Sequence, residues 1–308
     1  MVQENSLNDF VIVICGPTGS GKSALASELA KQFDTEIISA DSLAIYKDLD
    51  IGTAKPTLEE RKAVVHHMID VCEPTQPFSV SDYQNMARPI VKRLLDNKKI
   101  PIICGGTGFY INSLLFDFSY GNCAKNDVVR QHYEKVYHEK GAMYLHSLLE
   151  KVDPVSAEKL HFNDVKRVIR ALEIYDSAGV KKSDISDSTK PIVKYYAFAY
   201  DYPREVLYDR INRRVDEMFD RGLAREVEDL KNRGLGLNDQ SMQGIGYKEF
   251  FETCNDEGFI KTKELIKMNT RRYAKRQITF FKKLGNLKTL EASDLSSAVK
   301  TVRETIEK

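Results

Sequence analysis

The chain has 308 residues, of which 42% are hydrophobic and 30% charged, as in globular proteins and unlike disordered or fibrous ones. Its 46 basic and 45 acidic residues leave a net charge of +1, which excludes a polycation that binds nucleic acid over its whole surface. The longest apolar runs are about five residues, far below the ~20 that cross a bilayer, so we expect no membrane partner.

The five cysteines predict a reduced, cytoplasmic protein. They form no C-x-x-C pair, and we interpret them as reduced thiols rather than as metal ligands or disulfides. Residues 1–10 lack a basic n-region, so we expect no secretory leader. The cysteines are Cys15, Cys72, Cys104, Cys123 and Cys254.

A phosphate-binding loop is predicted near the amino terminus. It lies between an apolar β-type run at 9–15 and a helix-forming run at 24–33, which is the context that G-x-x-x-x-G-K-[ST] requires. Its residues are Gly16, Pro17, Thr18, Gly19, Ser20, Gly21, Lys22 and Ser23. We expect the loop N–H groups and Lys22 to bind phosphate oxygens, and Ser23 to offer a hydroxyl to Mg²⁺. The motif indicates a polyphosphate without specifying ATP, and an ordinary strand-to-helix turn is the alternative.

The remaining pattern predicts an α/β fold with a parallel sheet flanked by helices. Further strands are predicted at 36–39, 100–104 and 192–200, with a helix at 80–98 that Pro89 should kink or divide. Alternation of strands and helices is typical of a parallel sheet, with ligands at the carboxyl ends of its strands.

A smaller, all-helical insertion domain is predicted at 119–189, between core segments 1–118 and 190–308. Its helices are expected at 127–151 and 164–178, the second ending at Gly179. In the second core segment, a long helix is expected to begin at Pro203, and a final helix is expected at 262–284.

Candidate catalytic side chains follow the predicted strands. Asp41 comes just after the second strand, where it could accept a proton, hold Mg²⁺ through water, or merely cap a turn. Residues 105–108 read Gly-Gly-Thr-Gly, which suits either close approach of a ligand or a tight turn. Arg210 and Arg214 share a helix face next to Arg213, as a clamp on a leaving phosphate or as ordinary surface.

A basic segment lies near the carboxyl terminus. Between Lys261 and Lys283 there are nine basic residues and one acid, Glu264. Such a stripe on a neutral protein is an electrostatic footprint for phosphates, with a solvated helix face as the alternative. Tyr273 and Phe280 could supply stacking surfaces in the same segment, or could face the core.

In order, these segments resemble the tRNA isopentenyltransferase family, whose members are tRNA dimethylallyltransferases, over about residues 10–285. Apart from the phosphate loop, Asp50-Ile-Gly-Thr-Ala-Lys-Pro56 and Ala274-Lys-Arg-Gln-Ile-Thr279 are the most specific stretches. The others are 39–42 (Ser-Ala-Asp-Ser), 67–70 (His-Met-Ile-Asp), 105–110 (Gly-Gly-Thr-Gly-Phe-Tyr), 163–164, 170–173 and 246–247.

The resemblance implies transfer of a dimethylallyl group from dimethylallyl diphosphate to the exocyclic amine of the adenosine 3′-adjacent to the anticodon in tRNA. It implies that Asp41 is the general base and that Lys22 and Arg214 bind the diphosphate. Thr107 would touch the target nucleotide, and Ser23 would sit at the Mg²⁺ position. The helical insertion would correspond to a mobile domain over the anticodon stem-loop, in a protein that we expect to be monomeric. The implied tRNA contacts are Asp41, Ser42, Leu43, Ala44, Thr107, Arg130, Lys166, Arg167, Val168, Ile169, Arg170, Gln243, Gly244, Ile245, Gly246, Tyr247 and Lys248.

The sequence departs from the family at two positions and leaves other functions open. Many members carry Gln where this chain has Ala44, and Trp where it has Phe280. Residues after 285 contain no Cys/His zinc-finger pattern, so the resemblance is to bacterial-type members. The alternatives are a small-molecule P-loop kinase, a transferase acting on free adenine nucleotides, and a non-enzymatic RNA-binding module.

Overall fold

The computed structural model describes residues 10–118, 126–185, 187–253, 257–291 and 294–307. It divides the chain into two compact units. The core unit contains the residues up to Leu115 and those from Ile192 onward, and the insertion unit contains Phe116–Pro191.

Strands and helices alternate from Phe10 to Leu115, and longer runs of helices follow. The strands are β1 (Phe10–Cys15), β2 (Ile37–Ala40), β3 (His66–His67), β4 (Ile102–Gly105), β5 (Phe116–Phe118), β6 (Asp187–Pro191), β7 (Lys194–Asp201) and β8 (Leu287–Glu291). The helices are α1 (Lys22–Gln32), α2 (Leu58–Ala63), α3 (Val80–Asp96), α4 (Gly108–Leu115), α5 (Asp127–Val152), α6 (Pro154–Lys159), α7 (Val165–Ala178), α8 (Arg204–Asp220), α9 (Leu223–Asn232), α10 (Glu249–Glu252), α11 (Ile260–Phe281) and α12 (Leu295–Ile306).

A six-stranded sheet organises the core unit. Its order is β3-β2-β4-β1-β7-β8, and every neighbouring pair is parallel. All residues of β1, β2 and β4 are buried, as expected for central strands covered on both faces. The predicted parallel α/β sheet is therefore confirmed, and it brings the carboxyl ends of β1, β2 and β4 together.

The carboxyl-terminal part differs from the prediction. Helix α11 ends at Phe281 and is not the last helix, because strand β8 and helix α12 follow it. In β8 only Leu290 is buried, so this edge strand carries little apolar signal. Helix α12 is capped by Asp294, whose Oδ1 accepts a hydrogen bond from Ser297 N at 2.8 Å, and it buries Ala298, Val299 and Val302.

Helix α3 is continuous across Pro89, which was expected to kink or divide it. Its amino terminus has a capping box formed by Ser79 and Asp82. Buried residues lie on both sides of the proline, with Tyr83 and Ala87 before it and Val91 and Leu94 after it. Packing of this stripe outweighs the local cost of the proline. No helix among the described residues is long and apolar enough to cross a membrane.

The insertion unit is mainly helical, but it also contains two strands, whereas an all-helical domain was predicted. Strands β5 and β6 form a short antiparallel ribbon at its two ends, with an irregular register between Phe116 and Phe118. Such short, irregular strands leave no alternating pattern to read. Helix α5 is broken at Gly141, where φ is 83°, and α7 ends at Gly179 as predicted. The apolar core of this unit is formed by Tyr133, Leu145, Leu149, Ala157, Val168, Ile169, Ala171 and Leu172.

Candidate active site

The glycine loop lies between β1 and α1, as its motif predicts. Gly19 (φ 76°) and Gly21 (φ 88°) adopt the left-handed region that other residues disfavour. Gly21 is the N-cap of α1 and provides no side-chain cap, so the first-turn N–H groups remain available to an anion. Lys22 Nζ donates to Pro17 O at 3.3 Å, which folds the ammonium back over the loop.

Arg210, which lies on α8, stabilises this loop. Its Nε donates to Gly19 O at 2.7 Å, and its guanidinium lies 5.0 Å from the ring centroid of Tyr202. Arg213 forms an exposed ion pair with Asp209 at 3.0 Å. Arg210 thus contacts the loop backbone, and it does not line the cavity at the carboxyl ends of the strands, whereas Arg214 does.

A cavity of about 640 Å³ opens at the carboxyl ends of β1, β2 and β4. The sequence places candidate catalytic and diphosphate-binding residues on four separate segments. The fold brings six of these candidates into this one cavity. They are Thr18, Lys22, Ser23, Asp41, Thr107 and Arg214. Gly16, Pro17, Gly19, Ser20 and Gly21 do not line it but form the loop behind it. Ser20 is fully buried, and its Oγ has no hydrogen-bond partner within the described structure.

Asp41 is held in place by its own turn. Its Oδ1 accepts hydrogen bonds from Leu43 N (2.9 Å) and Ala44 N (3.3 Å). Thr107 Oγ1 accepts from Ser42 N at 3.0 Å, and Thr107 N donates to Ala40 O at 3.0 Å. The turn after β2 is thus fixed to the glycine-rich turn after β4. Asp41 both caps its own turn and lines the cavity.

Two desolvated cations face the same cavity. Burial lowers the pKa of Lys22, and the nearby charge of Arg214 lowers it further, while Asp41 opposes the shift. Burial likewise lowers the pKa of Arg214, again opposed by Asp41. Because desolvation penalises both positive charges, an anionic ligand that neutralises them is favoured.

The reduced thiols are buried, as expected. Cys15, Cys72 and Cys104 are free and buried, whereas Cys123 and Cys254 lie outside the described residues. Burial raises the pKa of the Cys104 thiol, which lines the cavity, to about 11. The thiol is therefore protonated near neutral pH.

Gln277 joins the two glycine loops, which sequence reasoning missed. Its Oε1 accepts from Thr18 N at 3.2 Å, and its Nε2 donates to Gly106 O at 2.9 Å. A Cβ on Gly106 would lie 2.2 Å from Gln277 Nε2, so glycine is required there for this contact. The only sequence signal was the position of Gln277 within the specific stretch 274–279.

Tyr273 lines the cavity, and burial raises the pKa of its hydroxyl. The guanidinium of Arg276 lies 5.5 Å from its ring centroid. Phe280 faces Phe109 edge-on at 5.5 Å and packs on Gly108, where a Cβ would approach its ring to 2.1 Å. Both candidate stacking residues of the basic segment therefore lie near the site, and Ala44, the other departure from the family, also lines the cavity.

Most of the core-unit residues implied as tRNA contacts surround the same cavity. They are Ser42, Leu43, Ala44, Gln243, Gly244, Ile245, Gly246 and Lys248. Tyr247 is the exception, because it is fully buried and its hydroxyl donates to Glu226 at 2.8 Å. Its implied contact with tRNA is corrected to a structural role.

The implied contacts in the insertion unit differ in exposure. Val168 and Ile169 belong to its apolar core, so their side chains are not available to RNA, which corrects the inclusion of both. Arg130 and Arg170 each pair with the fully buried Glu173, at 2.8 Å and 3.0 Å. Lys166 and Arg167 are exposed, as expected for nucleic-acid contacts.

The basic residues between Lys261 and Lys283 fall into two groups, those that bind helix α8 and those that are exposed. Lys263 and Lys267 pair with Asp216 of α8, and Arg271 donates to Asn212 of α8 at 2.6 Å. These residues join two helices. The exposed members are Lys261, Arg272, Lys275, Arg276, Lys282 and Lys283, and Arg272 and Arg276 also line the cavity.

The cavity offers oxygen donors that suit Mg²⁺. The Ser23 hydroxyl and the Asp41 carboxylate both line it, and Mg²⁺ prefers such hard ligands. Among the described residues, no group of three or more His, Cys, Asp or Glu could hold a metal alone. This pattern fits an ion that keeps several waters and binds mainly through substrate phosphates.

Comparison with known proteins gives a concordant picture. The profile of the IPP transferase family matches residues 44–284. The tRNA dimethylallyltransferase of Bacillus cereus is 44% identical over 287 residues, covering 92% of this chain and 90% of that protein. The structure is similar to full-length tRNA isopentenylpyrophosphate transferase from Bacillus halodurans, with a TM-score of 0.71, 36% identity and coverage of 97% and 96%. It is also similar to a eukaryotic dimethylallyltransferase described as acting on tRNA, with a TM-score of 0.80, 29% identity and coverage of 96% and 77%.

Proposed function

The chain belongs to the IPP transferase family, and we propose that it transfers a dimethylallyl group from dimethylallyl diphosphate to tRNA. The acceptor is the exocyclic amine of the adenosine 3′-adjacent to the anticodon, and diphosphate is released. The observation that carries this proposal is the shared cavity. It places a phosphate loop, two desolvated cations and an oriented carboxylate around one space.

The cations act on the leaving group. When the allylic carbon–oxygen bond breaks, its electron pair and a negative charge pass to the diphosphate. Lys22, Arg214 and the loop N–H groups meet that charge in a partly enclosed site. Removing one preorganised donor of this kind typically costs about 2.7–4 kcal/mol of transition-state stabilisation. Mg²⁺ bound near Ser23 would supply further neutralisation of the diphosphate charge.

Asp41 acts on the acceptor. The adenine amine is a weak nucleophile because its lone pair is delocalised into the ring. As the carbon–nitrogen bond forms, Asp41 accepts the proton that the nitrogen loses, a contribution of about 10²–10⁴-fold. We assign Thr107 to contact with the target nucleotide, because it lines the cavity beside Asp41.

The tRNA partner is supported by the exposed cations around the cavity and by what the related proteins act on. A stacked base cannot reach Asp41, so the adenosine must turn out of the anticodon loop at a cost of a few kcal/mol. Contacts of phosphates with Arg272 and Arg276 and stacking on aromatic rings would offset that cost. We assign the insertion domain at 119–189 to the anticodon stem-loop, through Lys166 and Arg167, in a cytoplasmic monomer.

Transfer of label tests the proposal against the kinase alternative. The protein is incubated with Mg²⁺, unmodified tRNA and dimethylallyl diphosphate labelled in the allyl group. A parallel reaction contains ATP labelled in the terminal phosphoryl group and a mixture of small alcohols. We expect label in tRNA from the first reaction and none in the alcohols from the second. The opposite pattern would establish a small-molecule kinase.

A further inference from the structure

Glu226, which lies on α9, accepts four hydrogen bonds, three from the loop at 50–52 and one from Tyr247. Its Oε2 accepts from Asp50 N (3.0 Å) and Ile51 N (2.7 Å), and its Oε1 accepts from Gly52 N (3.1 Å) and Tyr247 Oη (2.8 Å). One carboxylate therefore satisfies three consecutive backbone N–H groups. Charge-assisted bonds of this kind are shorter and stronger than neutral ones.

Tyr247 packs against the same loop. The closest atoms of its ring would lie only 2.6–2.7 Å from a Cβ on Gly52, so only glycine permits this approach. The ring and the carboxylate thus hold Gly52 between them. The loop is fixed on its outer side by groups that do not line the cavity, since neither Glu226 nor Tyr247 does so.

The inner side of the same loop contacts the site. Gly52, Thr53, Ala54 and Lys55 line the cavity. The Thr53 carbonyl oxygen accepts a hydrogen bond from Arg214 Nη2 at 3.2 Å. The position of the Arg214 guanidinium therefore depends on where the loop carries the Thr53 carbonyl.

We propose that Glu226 is a positioning residue for diphosphate binding, which acts by fixing the loop 50–53 so that the Thr53 carbonyl orients Arg214. This inference rests on the proposed function and extends it to a residue outside the cavity. It explains why a carboxylate, rather than a neutral side chain, is suited to this place on α9. A glutamine would place its NH₂ group, which only donates hydrogen bonds, where the carboxylate accepts hydrogen bonds from two of the four donor groups.

The test uses Glu226→Gln, Arg214→Lys and their combination. Glu228→Gln is the matched control, because Glu228 is exposed on the same helix and the substitution removes the same charge. For each protein, calorimetry with Mg²⁺ gives the dissociation constant of inorganic pyrophosphate, and thermal unfolding gives Tm. Transfer assays add kcat and KM for dimethylallyl diphosphate. Pyrophosphate binding does not require transfer, so failure of the proposed function would be visible separately in the wild-type assay.

We expect Glu226→Gln to weaken pyrophosphate binding about tenfold and to raise KM by a similar factor, with Glu228→Gln unchanged. In the Arg214→Lys background the same substitution should have little further effect, because the pathway through Arg214 is already lost. Equal losses in both backgrounds, or a lower Tm with unchanged pyrophosphate affinity, would overturn the proposal.

A second variant covers the case in which Glu226→Gln does not fold. Tyr247→Phe removes one hydrogen bond to the same carboxylate and keeps the ring against Gly52. Its effect on pyrophosphate affinity should be smaller than that of Glu226→Gln, yet should again disappear when Arg214 is replaced by Lys. An effect of the same size in both backgrounds would contradict the inference.

Discussion

Asp41 caps its own turn, and we propose that the same side chain is the general base. Its Oδ1 is bound to the N–H groups of Leu43 and Ala44, which fixes the carboxylate at the wall of the cavity. A residue oriented in this way needs no reorganisation before it accepts a proton. Its two roles can be separated, because an amide keeps a carbonyl oxygen for the turn but cannot act as a base.

Asp41→Asn should lower kcat by about 10²-fold or more while leaving tRNA affinity nearly unchanged. The remaining Oδ1 can still accept from Leu43 N and Ala44 N, so the turn should persist. Single-turnover transfer and filter binding of tRNA measure the two quantities, with Asp41→Ala as the comparison that also loses the turn. Near wild-type turnover in Asp41→Asn would exclude Asp41 as the base.

At the scale of elements, strands β2 and β4 lie so close together beside the site that there is no room for a side chain at Gly105. Gly105 ends β4 beside Ala40 of β2, and a Cβ on Gly105 would lie 2.1 Å from the Ala40 carbonyl oxygen. The conflict is with backbone, which cannot move as a flexible side chain can. This close approach is what lets the turns that carry Asp41 and Thr107 join.

Gly105→Ala should therefore lower the free energy of unfolding by about 3 kcal/mol, the upper part of the range for overpacked sites. Gly236→Ala is the control, because nothing lies within 4 Å of its added Cβ, and we expect a change within about 0.5 kcal/mol. Urea denaturation of the two variants measures both values. Equal stabilities would show that β2 and β4 have room to separate.

A second element-scale prediction concerns Asp153, the N-cap of α6 in the insertion unit. Its side chain accepts from Ser156 N at 3.0 Å and Ser183 N at 2.9 Å. Burial alone would raise the pKa of Asp153, but these hydrogen bonds outweigh it and lower the pKa to about 2 from an ordinary 3.8. The stabilisation from this carboxylate is therefore complete above its ordinary pKa and lost as the pH falls toward about 2.

Asp153→Asn should cost about 1 kcal/mol of unfolding free energy near neutral pH, as the loss of a charged cap does. The difference from wild type should shrink as the pH falls below about 4, because the carboxylate then begins to protonate in the unfolded state while it stays charged in the folded state until about pH 2. Denaturation monitored by circular dichroism at a series of pH values measures it. A difference that stays constant down to about pH 3 would contradict the assignment.

The elements that could be predicted from sequence are those whose signal is local. Strands β1, β2 and β4 are apolar on both faces, and the end of helix α7 is indicated by one residue, Gly179. Strand β8 and the β5–β6 ribbon could not be predicted, because their pairing is decided by distant segments. Helix α3 continues through Pro89 since the packing of its buried stripe outweighs a local rule.

At the scale of the whole molecule, the same division applies to the site. The glycine motif and Asp41 could be recognised along the chain, because one is a motif and the other lies just after a strand. Arg214, which lies within α8, could be recognised from its helix face and from the family resemblance. The contributions of Gln277 and Glu226 could not be recognised, since Gln277 meets Thr18 across 259 positions and Glu226 meets Ile51 across 175. Sequence reasoning also counted Lys267 among the phosphate footprint, although it pairs with Asp216 at 2.9 Å.

Binding of tRNA should weaken with salt, because several phosphate contacts release counterions. Arg272→Gln should reduce the slope of log affinity against log salt by about 1, since Arg272 is exposed at the cavity. Lys267→Gln should leave the slope unchanged, because that lysine joins α11 to α8. Fluorescence titrations at several salt concentrations give the slopes. A flat dependence for wild type would remove the tRNA interpretation of the basic segment.

The most direct test of the central claim compares two synthetic anticodon stem-loops that differ at one nucleotide. One carries adenosine 3′-adjacent to the anticodon, and the other carries inosine, which lacks the exocyclic amine. After incubation with dimethylallyl diphosphate and Mg²⁺, nucleoside mass spectrometry locates the product. We predict a dimethylallyl group on the exocyclic nitrogen of that adenosine and none in the inosine stem-loop. Equal modification of both, or of neither, would contradict a cavity that aligns an adenine amine with Asp41 and a departing diphosphate.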